Sequence, residues 1–330
     1  MYRTITRRHA LHLVATAALG IAAASVAPGA QASEAAYPDK PIRIIVPFAP
    51  GGSVDVLARV VGQKLTEAWG QPVVVESRPG ASTIIGTAAA AQAKPDGYTL
   101  IIVVSNHTTN PALQAKLPYD TLKAFEPVSL LARTPVVAYA NPKFEPQNLK
   151  ELVSYSKAHP GDVKFGSAGV GSMTHLTAEL LKERAGADMT HIVYKGGTPA
   201  LNDVLAGHIP VTFATVGQAL PQYKARQLRA LGVSSATRYP SIPEVPTFRE
   251  QGIDLVATEW YGLLAPAGTP KPIIDKLNAE IRRIVALPSL GDRLTAIELA
   301  SSSPMELDAL IRSEMNLWGP VIRKLGLKAD

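Results

Sequence analysis

The stretch Ile42–Val61, "IRIIVPFAPGGSVDVLARVV", passes from an apolar, β-branched run through two glycines and a serine into a helical pattern. Ile42–Val46 has the composition of a strand. Over Ser53–Trp69, residues Val54, Leu57, Ala58, Val61 and Leu65 share one helix face. The same grammar continues, with Val73–Glu76 and Tyr98–Val104 reading as strands and Ser82–Ala93 as the helix between them. Strand, helix and strand in succession predict an α/β fold built on a parallel sheet with right-handed crossovers.

The alternation then restarts. Val163–Ser167, His191–Tyr194, Val211–Thr215 and Leu228–Val233 are strand candidates, separated by helical patterns over Met173–Arg184, Thr198–Ala206 and Gln218–Arg226. Two long apolar runs, Val128–Tyr139 and Trp260–Leu264, each end in prolines and join the two α/β units, so the chain crosses between lobes twice. Only helical patterns follow, over Ile273–Ala286, Pro288–Ile297 and Met305–Leu325, with no strand expected after the second crossing. They are expected to cover the first lobe. The reading is a hinged clamshell: lobe 1 over 33–138 plus 265–330, lobe 2 over 139–264, crossovers near 128–140 and 256–265, and a ligand cleft between the lobes.

At 330 residues, 46% hydrophobic, 18% charged and 6% aromatic, the composition is globular. Arg3, Arg7 and Arg8 precede an alanine-rich apolar stretch from Leu11 to Ala27 and an A-x-A site at Ala30–Ala32. Residues 1–32 therefore read as a signal peptide cleaved after about Ala32, which predicts a periplasmic protein. The arginine pair leaves ordinary and twin-arginine export both open. Removing this segment lowers the formal charge from +6 by its three arginines to +3, and the remaining cations form no basic run, so nucleic acid is not an expected partner. Cysteine is absent, which excludes thiol enzymes and cysteine–zinc sites.

In parallel sheets ligands sit where strands turn into helix N-termini. In "PFAPGGSVD", Gly51 and Gly52 let the backbone approach a ligand, Ser53 is the expected N-cap, and the free N–H groups beyond it favour an anion. The loop is thus either an anion grip or a well-capped helix after a tight turn. "KFGSAGVGSMTHL", Lys164–Leu176, repeats the arrangement with Ser172 as cap. Two such loops, one per lobe, can close on one ligand. Asp55 either receives a ligand donor or complements the helix dipole, and His175 is either a neutral hydrogen-bond partner or packing. Arg78 and Lys195 either meet an acid or are solvated. Ser105, Asn106, His107 and Thr108 follow a strand and are candidates for the ligand's far end.

Catalytic signatures are missing. Phe165 and Val170 stand where a G-x-S-x-G elbow needs its leading glycine for Ser167 and Ser172. Thr174 interrupts a dinucleotide fingerprint, and no Walker lysine follows either loop. His107, His159, His175, His191 and His208 lack metal-ligand spacing. No catalytic residue, cofactor or metal is expected.

The motifs "YPDKPIRIIVPFAPGGSVDVLARVV", "KPDGYTLIIV", "LPYDTLKAFEPVSLLA", "FGSAGVGSMTHLTAELL", "IVYKGGTPALNDVLAGHIPVTF" and "YPSIPEVPTFREQGI" occur in that order. Together they resemble the Bug-type (TctC-like) extracytoplasmic solute receptors of tripartite tricarboxylate transporters, over essentially the whole chain beyond residue 32. The resemblance implies a two-lobed periplasmic binding protein of the type II kind that closes on an organic carboxylate and presents it to membrane permease subunits. By family pattern the contacts fall on Phe48, Ala49, Gly51, Gly52, Ser53 and Asp55, and on Ser167, Ala168, Gly169, Gly171, Ser172, Thr174 and His175. Ser105–Thr108 and Thr215–Gln218 add to them. One departure is visible: where the family commonly reads close to "RPGAGGNIG", this chain has "RPGASTIIG", so Ser82 and Thr83 are candidate ligand contacts and Ile84 adds bulk. The expectation is a monomeric receptor for a dicarboxylate or aromatic acid. Delivery to a sensor kinase, or hydrolysis of carboxylate esters through Ser172, are the alternatives.

Overall fold

The computed structural model describes residues 37–294 and 296–328, so the expected signal peptide lies outside the described residues. From Lys40 onward the chain runs β1 (Ile42–Val46), α1 (Ser53–Trp69), β2 (Val73–Ser77), α2 (Ile84–Ala91), β3 (Thr99–Val103), α3 (Asn106–Leu113) and β4 (Phe125–Ala140). It continues as α4 (Leu149–Ala158), β5 (Lys164–Gly166), α5 (Met173–Ala185), β6 (Thr190–Ile192), α6 (Gly197–Ala206), β7 (Val211–Thr215), α7 (Val216–Lys224) and β8 (Arg229–Val233). It ends with β9 (Thr258–Pro266), α8 (Lys271–Val285), α9 (Pro288–Arg293), β10 (Glu298–Leu299) and α10 (Pro304–Lys324).

The strands follow the order β2-β1-β3-β9-β4-β7-β5-β6. As the alternation requires, β1 pairs parallel with β2 and β3, and β5 pairs parallel with β6 and β7. Between these parallel sets lie antiparallel strands. Residues 125–135 of β4 pair with β9, which also flanks β3, whereas residues 136–140 pair with β7 and β8. One strand of 16 residues therefore belongs to two sheets. Its burial on both faces explains the near-continuous apolar run.

Three differences from the sequence reading have physical causes. β9 pairs with β3 and β4, so the expected lobe boundary at 264/265 lies within a strand that hydrogen-bonds along its length to the first sheet. β10 adds a two-residue strand to β4 at Arg133 and Ala132, too short to show any period in the sequence. α10 reaches two cores, because Leu307 and Ile311 pack with Ile45, Phe125 and Trp260 while Trp318 and Ile322 pack with Leu113, Met173 and Phe213. The tail helices thus serve both sheets.

Where the two chain crossings meet, Ser234 ties them together. The fully buried hydroxyl accepts from Val136 N at 2.9 Å and donates to Ala257 O at 2.5 Å. Its backbone N–H donates to Val136 O and its carbonyl accepts from Ala257 N. Ser234→Ala strands a buried N–H and a buried carbonyl, and costs about 1–3 kcal/mol of unfolding free energy. A urea titration checks this; an unchanged midpoint shows that neither group depends on the hydroxyl.

Candidate functional site

Three helices that follow carboxyl ends of strands begin close to the crossing. At α1, Gly51 (φ +89°) turns the chain and Gly52, not Ser53, is the N-cap. The expected cap is corrected on this point: the helix begins one residue early, so the Ser53 hydroxyl makes no capping bond and is buried without a partner. At α3, Ser105 is fully buried and its Oγ also has no partner. At α7 a capping box joins Thr215 and Gln218: the Thr215 N–H donates to Gln218 Oε1 at 3.3 Å and the Thr215 side chain faces the Gln218 N–H. Buried hydroxyls are normally satisfied, and those of Ser53 and Ser105 close no regular hydrogen bond, although the first lies toward the Tyr261 phenol and the second toward the Glu259 carboxyl.

Two residues on one face of β9 connect them. The Tyr261 phenol lies toward the hydroxyls of Ser53 and Thr215, and burial raises it far above the usual phenol range. Two positions earlier, Glu259 accepts from Ser105 N at 2.9 Å. Burial lifts its carboxyl to about 7 against the pull of Ser105, and the Glu314 carboxyl adds to the rise. In front of Ser53 opens a cavity of about 220 Å³, lined by Gly51, Gly52, Thr198, Gly217, Gln218 and Ile297 among others. A Cβ at Gly217 would stand 3.1 Å from Ser53 Oγ, which shows how closely α1 and α7 approach.

Asp55 is an organiser of its own loop. Its Oδ2 accepts from Gly51 N at 3.1 Å and from Arg59 Nε at 3.0 Å, leaving Oδ1 buried and unpartnered. Burial pushes this carboxyl up, but the Arg59 and Gly51 bonds outweigh it and the net direction is down. Phe48 is half-buried and Ala49 exposed on the same loop.

The second loop differs from its expected character. Its cap is as anticipated, with Ser172 Oγ accepting from His175 N at 3.2 Å. Its donors, however, are largely engaged internally: Ala168 N on Thr174 Oγ1, Gly169 N on Ser167 Oγ, Gly171 N on His175 Nδ1 and Ser172 N on Gly169 O. Gly171 also packs on α3, where its carbonyl accepts from Thr109 Oγ1 at 2.8 Å. The residues from Ser167 to His175 thus build a stiff wall beside α3. His175 stacks on His191 with ring centroids 4.1 Å apart, and His191 Nε2 lies 2.8 Å from Ser167 Oγ. Burial lowers His175 to about 3, helped by His191 and Lys182, and burial beside Lys182 lowers His191 to about 4.

The remaining candidates divide. Ser82 and Thr83 adopt left-handed φ of 48° and 79°, and Asn110 Nδ2 donates to Ser82 O at 2.8 Å. Asn106 is buried in the first turn of α3. His107 is placed in an aromatic cluster with Tyr119 and Phe125, and burial holds it near 4. Arg78 pairs with Glu76, and Lys195 is exposed. Sequence reasoning missed Glu259, Tyr261, Thr198 and Asn110. The available signal was Glu259 itself, the one charge in the apolar strand "TEWYGLLAP".

Two sheets sharing crossing strands, with helix N-termini gathered at the crossing, define the class of two-lobed periplasmic binding proteins. The TctC profile, tripartite tricarboxylate transporter family receptor, matches residues 57–327, and the chain belongs to that family. Protein BugT of Bordetella pertussis is 37% identical over 317 residues, covering 94% of this chain and 97% of BugT. A solved structure described as a periplasmic transporter is 40% identical with a TM-score of 0.85, covering 89% of this chain and 100% of the other. An R. palustris protein with adipate is 30% identical, TM-score 0.85, over 88% of this chain and 99% of that one. MatC from Rhodopseudomonas palustris with bound malate is 32% identical, TM-score 0.81, over 87% and 100% respectively.

Two predictions separate the loops. Ser172→Ala costs about 1 kcal/mol of stability because it removes a working cap, whereas Ser53→Ala, whose hydroxyl has no partner, costs nearly nothing; urea unfolding of both compares them. For the stacked imidazoles, folded values below the unfolded 6.5 mean that only the unfolded chain takes up protons as pH falls. Their contribution to stability is complete above about 6.5 and declines as pH drops toward 4. Ring NMR signals of His175 and His191 should show neutral imidazole from pH 8 down to 5, and titration near 6.5 in the folded protein would contradict this.

Proposed function

We propose that the chain is an exported periplasmic receptor that captures a small organic carboxylate and delivers it to membrane permease subunits of the tripartite tricarboxylate type. The observation that carries the reading is the gathering of three helix N-termini, at Ser53, Ser105 and Thr215, beside a cavity of about 220 Å³, with the hydroxyls of Ser53 and Ser105 closing no regular hydrogen bond. Such ends present free N–H groups and partial positive charge, which suit a carboxylate without a dedicated cation. Adipate and malate in the two related structures support the ligand class. Dicarboxylates and aromatic acids are the leading candidates. Lobe motion about Pro135–Val136 and Val256–Thr258, where Ser234 joins the crossings, closes the site. An adjacent pair of permease genes favours transport; an adjacent sensor kinase favours signalling. Ester hydrolysis through Ser172 is the weakest reading, because that hydroxyl already accepts from His175 N and donates to Gly169 O.

The test is a thermal-shift screen of the chain without residues 1–32 against adipate, malate, citrate and benzoate. A ligand at about a hundredfold over its dissociation constant adds roughly 2.7 kcal/mol of stability and raises the melting temperature. Gly52→Val should abolish that shift while the protein still folds, since Gly52 has φ −81° and no atom lies within 4 Å of its added Cβ. If no carboxylate moves the transition, or if Gly52→Val binds as the parent does, the proposed grip is wrong.

A further inference from the structure

Glu259 is a buried carboxyl group in a site that the preceding reading assigns to an anion. Its carboxyl accepts from the Ser105 backbone N–H at 2.9 Å and is also stabilised by the Ser105 hydroxyl and the Trp260 backbone N–H, and among the described residues no cation forms an ion pair with it. The groups around it offer no positive charge. From α10 comes the carboxyl of Glu314, itself held by Trp318 Nε1 at 2.8 Å, and Arg133 of β4 acts on Glu314 rather than on Glu259. From β9 comes the neutral phenol of Tyr261, with the phenol of Tyr239 beyond it. On α3, His107 is held neutral by burial, and on α1 the Asp55 carboxylate is paired with Arg59.

The neighbouring hydroxyls show where a ligand reaches. Ser105 is fully buried, its hydroxyl closes no regular hydrogen bond and lies toward the Glu259 carboxyl, and Ser53 and Thr215 lie toward the phenol of Tyr261 on the same face of β9. A carboxylate that satisfies these hydroxyls comes to lie beside the Glu259 carboxyl. Two like charges cannot share so poorly solvated a space without a proton between them. We propose that Glu259 sets the protonation state of the bound complex: the ligand carboxylate is held with one proton shared between its own oxygen and the Glu259 carboxyl group. The proton comes from solvent, so each ligand bound to a deprotonated Glu259 takes one up. Glu259 thereby selects against ligands that cannot accept a hydrogen bond at this end. It also makes capture tighter on the acid side of neutrality.

The proposal rests on the carboxylate reading, and its test separates the two. Isothermal titration of the carboxylate found by the screen, run at pH 8 in buffers of different ionisation enthalpy, reads the protons taken up per ligand in the unmodified protein. Uptake approaching one proton, and a dissociation constant that weakens toward tenfold per pH unit above pH 7, are expected. Glu259→Gln, which keeps the shape and can donate without titrating, should bind with no pH dependence and more tightly than the parent at pH 8.5. No proton uptake, proton release, or an unchanged pH profile in Glu259→Gln overturns the role of Glu259 while leaving carboxylate binding intact. If no carboxylate binds the parent protein between pH 5 and 9, the underlying functional reading fails instead.

Discussion

The pairing of one strand into two sheets is the constraint on which the rest of this structure depends. β4 hydrogen-bonds to β9 along its first part and to β7 and β8 along its last, so neither sheet can be completed without it. Ser234 then binds the strand at Val136 to the returning segment at Ala257. Because interior backbone groups must be satisfied, the crossing cannot be moved along the chain without stranding them. This fixes the place where the first turns of α1, α3 and α7 gather.

The same place departs from ordinary protein interiors. The hydroxyls of Ser53 and Ser105 close no regular hydrogen bond, Asp55 leaves one carboxylate oxygen unpaired, and Glu259 is buried without a cation. Each such group costs free energy in the ligand-free protein. Other buried polar side chains are fully used: Asn278 donates to Val128 O and Ser302 O, and Gln251 joins Leu149 N to Leu231 O.

The strands and helices with strong periods were legible in the sequence. α1 was read to the residue, and β7 likewise, because its five buried residues are bounded by Pro210 and by a helix start. Less was legible where tertiary contacts decide. α3 has Asn and Thr in its first turns and Pro111 inside, a poor intrinsic helix, yet it is buried between the Gly171 turn and α10. The Ser53 capping role was misread because two glycines before the serine allow the helix to start at either. The engaged donors of the Ser167–Ser172 loop could not be seen at all, since they depend on His175 and Thr174 side chains folding back. Glu259 was visible as a charge in an apolar strand, but only the pairing with Ser105 across 154 positions gives it a place in the site.

The segment Ala81–Ser82–Thr83 shows how sequence departure and conformation fit together. All three residues take positive φ, 45°, 48° and 79°. For residues with a Cβ this conformation costs about 1–2 kcal/mol each, and a β-branched threonine is the least suited of them. The strain is held by named contacts: Asn110 donates to Ser82 O, and Thr87 Oγ1 donates to Thr83 O at 2.9 Å. Asn110 stands one residue from Thr109, which binds the Gly171 turn. A single short helix therefore holds both the strained segment and the stiff second loop in register.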